Sequence, residues 1–396
     1  MKISNIAKQI PESMTLAISA KAKQLKAEGR SIIGFTAGEP DFDTPDFIKE
    51  EAKIALDVGF TKYTPASGTV ELKKAIAEKL ERDNGLTYDA SEIIVSSGAK
   101  SSLYYAMLAV LDAGEEVVVP TPIWLTYPEL VKMCGCKPVF VDTKKTDYKL
   151  TADGLLSAVT DKTRLLILNT PCNPTGVVYT SDELEALAKV IVEKDIYVIS
   201  DEIYEKLVYG VKHVSIAQFG DEIKKRTIIV NGMSKSYSMT GWRVGYAAAD
   251  KEVVKAMTNI QSHAAGNTCS IAQYASVRAV REGEQFSTDA RNIFAARRLL
   301  MIEFAKRLKD VKFVMPEGAF YLFMDVSAYY GKYYKGKKID GSVSFAECIL
   351  DEGVALIPGA PFGDDDCVRL SYAVAENDIV KGFERISAFL EKLSDR

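Results

Sequence analysis

The alternation of strand-like and helix-like stretches from residue 92 onward limits what this chain can fold into more than any other feature. Short runs rich in β-branched residues recur at 93–96, 116–119, 138–141, 165–169, 196–200, 227–230 and 244–248. Most are separated by stretches with apolar residues at helical spacing. A β-then-α repeat of this kind predicts an α/β fold with a mainly parallel sheet covered by helices on both faces. Active sites in such sheets form at the carboxyl ends of the strands, so the loops after these runs are where chemistry is expected.

The flanks read differently. Residues 14–28 have helical spacing and stop at Gly29, a strand is expected at 31–36, and Thr44 and Pro45 look like the N-cap and first residue of a helix reaching Val58. A loop from Lys62 to Gly68 leads to a helix over 69–83. After residue 250 come helical stretches at 251–262, Ser270–Glu282 and 285–309, then strands at 319–326, 355–357 and 368–371, and a closing helix from Glu376. This pattern predicts a second, smaller α+β domain built from both termini. Residues 1–40 join it, 41–284 form the large domain and 285–396 the small C-terminal domain.

Composition narrows the function classes. The chain has 396 residues, 47% hydrophobic and 26% charged, enough for two cores. A net charge of −4 leaves no basic footprint for nucleic acid, so an anionic substrate has to be met by a few local cations. Six cysteines without C-x-x-C spacing fit a reducing compartment. The opening residues lack a signal-peptide core and no apolar run is long enough to span a bilayer, so a cytoplasmic enzyme without a membrane partner is expected. The two histidines, His213 and His263, stand at no metal-ligand spacing, which argues against a metal site and against a histidine triad.

Candidate chemistry collects at the strand ends. Between two β-rich runs lies Asn231-Gly-Met-Ser-Lys-Ser-Tyr237, with Gly-Trp-Arg-Val-Gly-Tyr246 following. Lys235 among small and hydroxylic residues can form a Schiff base, and Arg243 can clamp a phosphate; a solvated lysine and an ordinary surface arginine are the plain alternatives. Ser97-Gly-Ala-Lys100 is a glycine turn opening a helix, where free N–H groups favour a phosphate, unless it is only a βα turn. Asn173 lies in a turn-forming Thr-Pro-Cys-Asn-Pro-Thr-Gly176 cluster. Asp201, in Asp-Glu-Ile-Tyr204, is a carboxylate at the end of a buried strand that requires a cationic partner, which a protonated pyridine nitrogen supplies. Trp124 offers an aromatic face, or simple packing. Arg369, in the apolar run Cys367-Val-Arg-Leu-Ser-Tyr372, can bind a carboxylate bidentately or serve a structural ion pair.

Together these residues resemble a known family. Ala37-Gly-Glu-Pro-Asp-Phe42, Lys62-Tyr-Thr-Pro65, Asn173-Pro-Thr-Gly176, Ser200-Asp-Glu-Ile-Tyr204, Ser234-Lys235, Gly241-Trp-Arg-Val-Gly-Tyr246 and Val368-Arg-Leu-Ser-Tyr372 occur in the order found in class I aminotransferases dependent on pyridoxal 5'-phosphate. These have fold type I, and the likeness is greatest to the bacterial aspartate aminotransferase branch. The resemblance implies that Lys235 carries the cofactor, Asp201 pairs with its ring nitrogen, Tyr204 and Asn173 bond its 3'-oxygen and Trp124 stacks on the ring. It further implies that Ser234, Arg243 and the turn Gly98-Ala99-Lys100 hold the phosphate, joined by Tyr63 of a second subunit in a homodimer with shared active sites. Arg369, the Gly38 backbone and Asn173 are then expected to take the α-carboxylate of an amino acid or 2-oxo acid, with Trp124 and Lys100 also facing the substrate. Lys100 is the candidate cation for the distal carboxylate of L-aspartate or 2-oxoglutarate. Cys172 departs from the family's usual asparagine.

Rival readings use the same residues. An aminotransferase for aromatic or prephenate-type substrates, a decarboxylase, or a carbon–sulfur β-lyase with the same cofactor shares every ring contact and differs only in the substrate pocket. A serine hydrolase can claim Ser97-Gly-Ala-Lys100 as S-x-x-K but lacks its companion motifs. Gly331-Lys-Tyr-Tyr-Lys-Gly-Lys-Lys338 nearly spells a P-loop, yet Lys338 replaces the magnesium-binding hydroxyl, so a solvated basic loop is expected there.

Overall fold

The computed structural model describes residues 2–12 and 14–395. Its centre is a seven-stranded sheet made of β1 (Ile93–Ser96), β2 (Glu116–Thr121), β3 (Lys137–Asp142), β4 (Thr163–Asn169), β5 (Tyr197–Asp201), β6 (Thr227–Gly232) and β7 (Gly245–Ala248). The order across the sheet is β1-β7-β6-β5-β4-β2-β3. The pairs from β6 across to β3 are parallel, whereas β7 runs antiparallel to both β1 and β6. Continuous burial along β1, β2, β6 and β7 explains why these strands read as unbroken apolar runs, while the edge strand β3 is partly exposed.

Several strands reach further than expected, and the extensions position the site. β2 continues through Pro120 to Thr121 in register with Val141 and Asp142. The proline is accommodated because β4 pairs with β2 only as far as Val118. β5 ends on Asp201 itself, paired with Asn169 and Val230. Helix Ala99–Val110 packs across β6 and β7 on one face, and helix Ser181–Glu193 covers Leu166, Leu168 and Val198 on the other.

A second antiparallel sheet is built from β8 (Lys312–Phe313), β9 (Tyr321–Asp325), β10 (Ile357–Pro358) and β11 (Cys367–Ser371), in the order β10-β11-β9-β8. Helices Glu284–Ala305 and Glu376–Glu391 pack beside it, around a core that includes Phe294, Phe320 and Phe389. Ile33–Gly34 pairs in parallel with Val354–Ala355, which brings the N-terminal segment into this lobe.

Four local expectations are corrected. The strand expected at 355–357 breaks at Leu356, so Val354–Ala355 and Ile357–Pro358 serve different sheets. The helix expected to reach 309 ends at Ala305. The 331–338 tract is a small hairpin, Tyr333–Tyr334 against Lys337–Lys338, rather than a plain loop. Thr44 does not cap the next helix: Pro45 holds the cap position, and the Thr44 hydroxyl donates to the Ser238 carbonyl at 2.6 Å and accepts from Trp242 Nε1 at 3.0 Å. A tertiary bond to the segment after Lys235 replaces the local one. Among the described residues no helix is long and apolar enough to cross a membrane.

Candidate active site

A cavity of about 500 Å³ lies where the carboxyl ends of the parallel strands face the smaller lobe. Lys235 enters it from the short helix Met233–Ser236 that follows β6. Its ammonium group donates to the Gly38 carbonyl, and no carboxylate forms an ion pair with it among the described residues. Burial pushes its pKa down to about 8; the Glu39 charge opposes this shift, while Arg369 and Arg243 add to it.

Asp201 faces the same space and is 3% exposed. Its Oδ2 accepts from the Tyr127 hydroxyl at 2.6 Å and its Oδ1 from the Ile203 N–H at 3.2 Å. Burial raises its pKa to about 6 against these two bonds, so the carboxylate gains from a cationic partner in the cavity. Tyr127 was not singled out from the sequence. Only its place three residues after Trp124 hints at a shared site, and their rings meet edge-on at 5.3 Å.

An anion cradle lies on one side. Gly98 has φ +85°, and a Cβ there would come within 2.2 Å of the Arg243 guanidinium, so only glycine lets the arginine approach this backbone. Arg243 also has positive φ and is anchored by an NH1 bond to the Thr240 carbonyl at 2.9 Å. Ala99 and Lys100, the first residues of the following helix, line the cavity with Ser234 and Arg243. Free N–H groups of a helix start, a hydroxyl and a guanidinium thus converge where a phosphate can be held.

The opposite wall comes from the smaller lobe. Arg369 on β11 is 3% exposed. It donates to Asn173 Oδ1 at 2.9 Å and to the Thr36 carbonyl at 3.3 Å, and its buried Nε has no hydrogen-bond partner among the described residues. The Tyr321 and Phe362 rings lie 4.3 Å and 5.1 Å from its Cζ. This is a held guanidinium with donor capacity left over, as a carboxylate receptor requires. Asn173 is fixed by its own N–H to Asn169 Oδ1 at 2.9 Å, and Asn169 Nδ2 in turn donates to the Asp201 carbonyl at 3.0 Å. The Tyr204 and Tyr321 hydroxyls share a 2.8 Å bond. Neither Asn169 nor Tyr321 was expected from the motifs. Lys100 places its ammonium 4.9 Å from the centre of the Trp124 ring, and burial, followed by the Arg243 charge, lowers its pKa.

One candidate stands apart: Tyr63 is 98% exposed and does not line this cavity. The histidine reading also needs an addition. His213 lies with Glu202 and Glu205 in a group whose ligand atoms are within 4.8 Å of one another. Glu205 there already pairs with Lys79, so a lysine supplies the positive charge that a metal would bring.

One cavity thus brings together a helix start with a guanidinium and a hydroxyl, a buried carboxylate, an amine of lowered pKa and a second, buried guanidinium. The chain belongs to the class I and II aminotransferase family, whose sequence model matches residues 30–386. It is 46% identical to the aspartate aminotransferase of Bacillus subtilis, with 100% of each chain covered. It is 45% identical to a probable aspartate/prephenate aminotransferase of Aquifex aeolicus, with 96% of each covered. Among solved structures, the aspartate aminotransferase of Rhizobium meliloti matches at TM-score 0.96 and 40% identity over 100% of both chains. That of Thermus thermophilus with maleate matches at 0.93 and 40%, over 98% of this chain and 100% of that one.

Proposed function

We propose that this aminotransferase moves the amino group of L-aspartate to 2-oxoglutarate using pyridoxal 5'-phosphate. The observation that carries the proposal is Lys235, an amine with a pKa of about 8 and no carboxylate ion-pair partner, in one cavity with Asp201 and Arg369. When bound, the cofactor supplies an aldehyde that captures amines and a ring that accepts electrons from the substrate Cα. Ser234, Arg243 and the Gly98–Lys100 turn hold its phosphate, joined by Tyr63 from a partner. Trp124 covers one ring face. Asp201 holds a proton on the ring nitrogen, and Tyr204 and Asn173 bond the 3'-oxygen. Arg369, Asn173 and the Gly38 backbone orient the α-carboxylate. Lys235, basic enough near neutral pH, takes the Cα proton and returns it.

Lys100 is assigned the distal carboxylate of a dicarboxylic substrate; its flexible stem and its place over the Trp124 ring suit a cation that can turn to that group. The exposed Tyr63 suits a residue that completes the site of a second copy, so the active unit is inferred to be a homodimer with shared sites. The division into residues 1–40 and 285–396 around a large domain of 41–284 is retained on the same footing, supported by the separate sheets and the pairing of Ile33–Gly34. A second reading, activity on prephenate, is favoured by the likeness to the probable aspartate/prephenate aminotransferase of Aquifex aeolicus.

The test is the visible spectrum of the purified holoenzyme. Addition of L-aspartate is expected to abolish the imine band and 2-oxoglutarate to restore it. Restoration of the band by prephenate rather than by 2-oxoglutarate, after aspartate has abolished it, favours the second reading, and no response to any amino donor sinks both.

A further inference from the structure

Far from Lys235 in sequence, a charged cluster ties the edge of the large sheet to the smaller lobe. Lys144, in the turn after β3, lies 2.6 Å from Asp366, 3.2 Å from Asp364 and 3.9 Å from Asp325. Asp364 is 8% exposed, and the Tyr148 hydroxyl donates to its other oxygen at 3.2 Å. Asp364 Oδ1 also accepts the Asp366 N–H at 3.1 Å, which closes the turn on itself. The middle member of the run, Asp365, is used elsewhere, accepting from the Ser342 N–H and hydroxyl at the start of helix Ser342–Asp351. Lys144 is thus the cation that compensates three carboxylates of the smaller lobe, one of them buried.

The turn this cluster grips leads straight to the substrate wall. Ahead of it, the Phe362 carbonyl accepts the Ile123 N–H at 2.9 Å, and a Cβ on Gly363 would come within 2.9 Å of Thr121, so the turn lies directly on the end of β2. Beyond it, Cys367 opens β11, the strand that carries Arg369, and the Phe362 ring lies against the Arg369 guanidinium. We propose that Lys144 is a positioning residue for substrate binding: by gripping the Asp364–Asp366 turn from the large sheet, it sets Phe362 and Arg369 at the distance from the cavity floor at which a carboxylate is bound. The inference rests on Arg369 as the α-carboxylate receptor. An interaction that places this receptor acts equally on ground and transition states, so its loss appears in KM rather than in kcat.

Steady-state kinetics of the holoenzyme test it, with Arg369→Lys as the control for the receptor role. Lys144→Met is expected to raise KM for both aspartate and 2-oxoglutarate about tenfold, the scale of one charge-assisted bond, with kcat within about twofold of wild type. Lys144→Arg restores the cation and returns KM to within about threefold of wild type. Should Lys144→Met not fold, Asp366→Asn, at an exposed partner, carries the test with a smaller rise in KM. Raised ionic strength should also increase KM more in wild type than in Lys144→Met, because the cluster is partly open to solvent. Unchanged KM in the folded variant, or a fall in kcat at constant KM, overturns the inference. Unchanged KM in Arg369→Lys instead overturns the receptor role on which it rests.

Discussion

Lys79 and Lys235 are both drawn into the large lobe, and their surroundings separate a structural cation from a chemical one. Lys79 is 4% exposed and pairs with Glu205, with Asn84 Oδ1 at 2.8 Å and Asp83 at 4.0 Å. Glu205 also accepts from Asn84 Nδ2 at 3.0 Å and Asn231 Nδ2 at 2.8 Å. Burial works to raise the Glu205 pKa, but the Lys79 and His213 side chains and the bonds from Lys79 and Asn84 prevail and hold it at about 2. The Lys235 ammonium donates to the Gly38 carbonyl, and Glu39, the acid whose charge acts on it most, accepts from the Thr240 hydroxyl at 2.7 Å. A cation whose charge is matched fastens the helix Val70–Asn84 to the turn behind Tyr204. One whose charge is left unmatched is held ready for a ligand or a proton.

Five measurements break or sharpen this contrast. The largest effect belongs to Lys235→Ala, which should slow the aspartate half-reaction by about 10²- to 10⁴-fold in single-turnover absorbance while leaving cofactor bound through the cradle. Borohydride reduction and peptide mapping of the wild type should label Lys235, and a label on another lysine ends the assignment. Lys79→Met should leave Glu205 buried without its cation and lower stability by about 3–5 kcal/mol in urea unfolding. An unchanged midpoint would mean that matching the charge contributes nothing there.

Lys100 tests whether a third lysine, held over an aromatic ring without an acid partner, belongs with Lys235. Lys100→Ala should lower kcat/KM for aspartate and oxaloacetate about ten- to a hundredfold, with much less effect on phenylalanine. Equal losses for both substrates would return Lys100 to the cofactor. The smallest effect is thermodynamic. The folded-state pKa of Lys235, about 8, lies below its ordinary value of 10.5, so between these values the unfolded chain keeps a proton that the folded one has released. Wild-type stability without cofactor should therefore climb across that window. Lys235→Met, which lacks the charge, should be more stable than wild type at pH 7, the gap closing toward pH 10.5. A constant gap in pH-dependent melting would contradict the unmatched charge.

The sequence determined what lies within one element's reach. Strand runs such as Ile93–Ser96 and the helices Ser270–Glu282 and from Glu376 follow from periodicity and burial, which report on neighbours along a single strand or helix. Parallel strands end on the same edge, so motifs placed just after β1, β4, β5 and β6 were bound to meet. That is why Ala99, Asn173, Asp201 and Lys235 could be read from the chain before any contact was known. Tertiary structure alone decided the strand order, the antiparallel placement of β7 and every bond between distant segments. Tyr127 reaches Asp201 across 74 positions, Arg369 reaches Asn173 across 196, and Lys144 reaches Asp364 across 220. No local propensity encodes such pairs. Loop length changes closure entropy only slowly, so which distant groups meet is chosen by the burial and charge compensation that the completed fold allows.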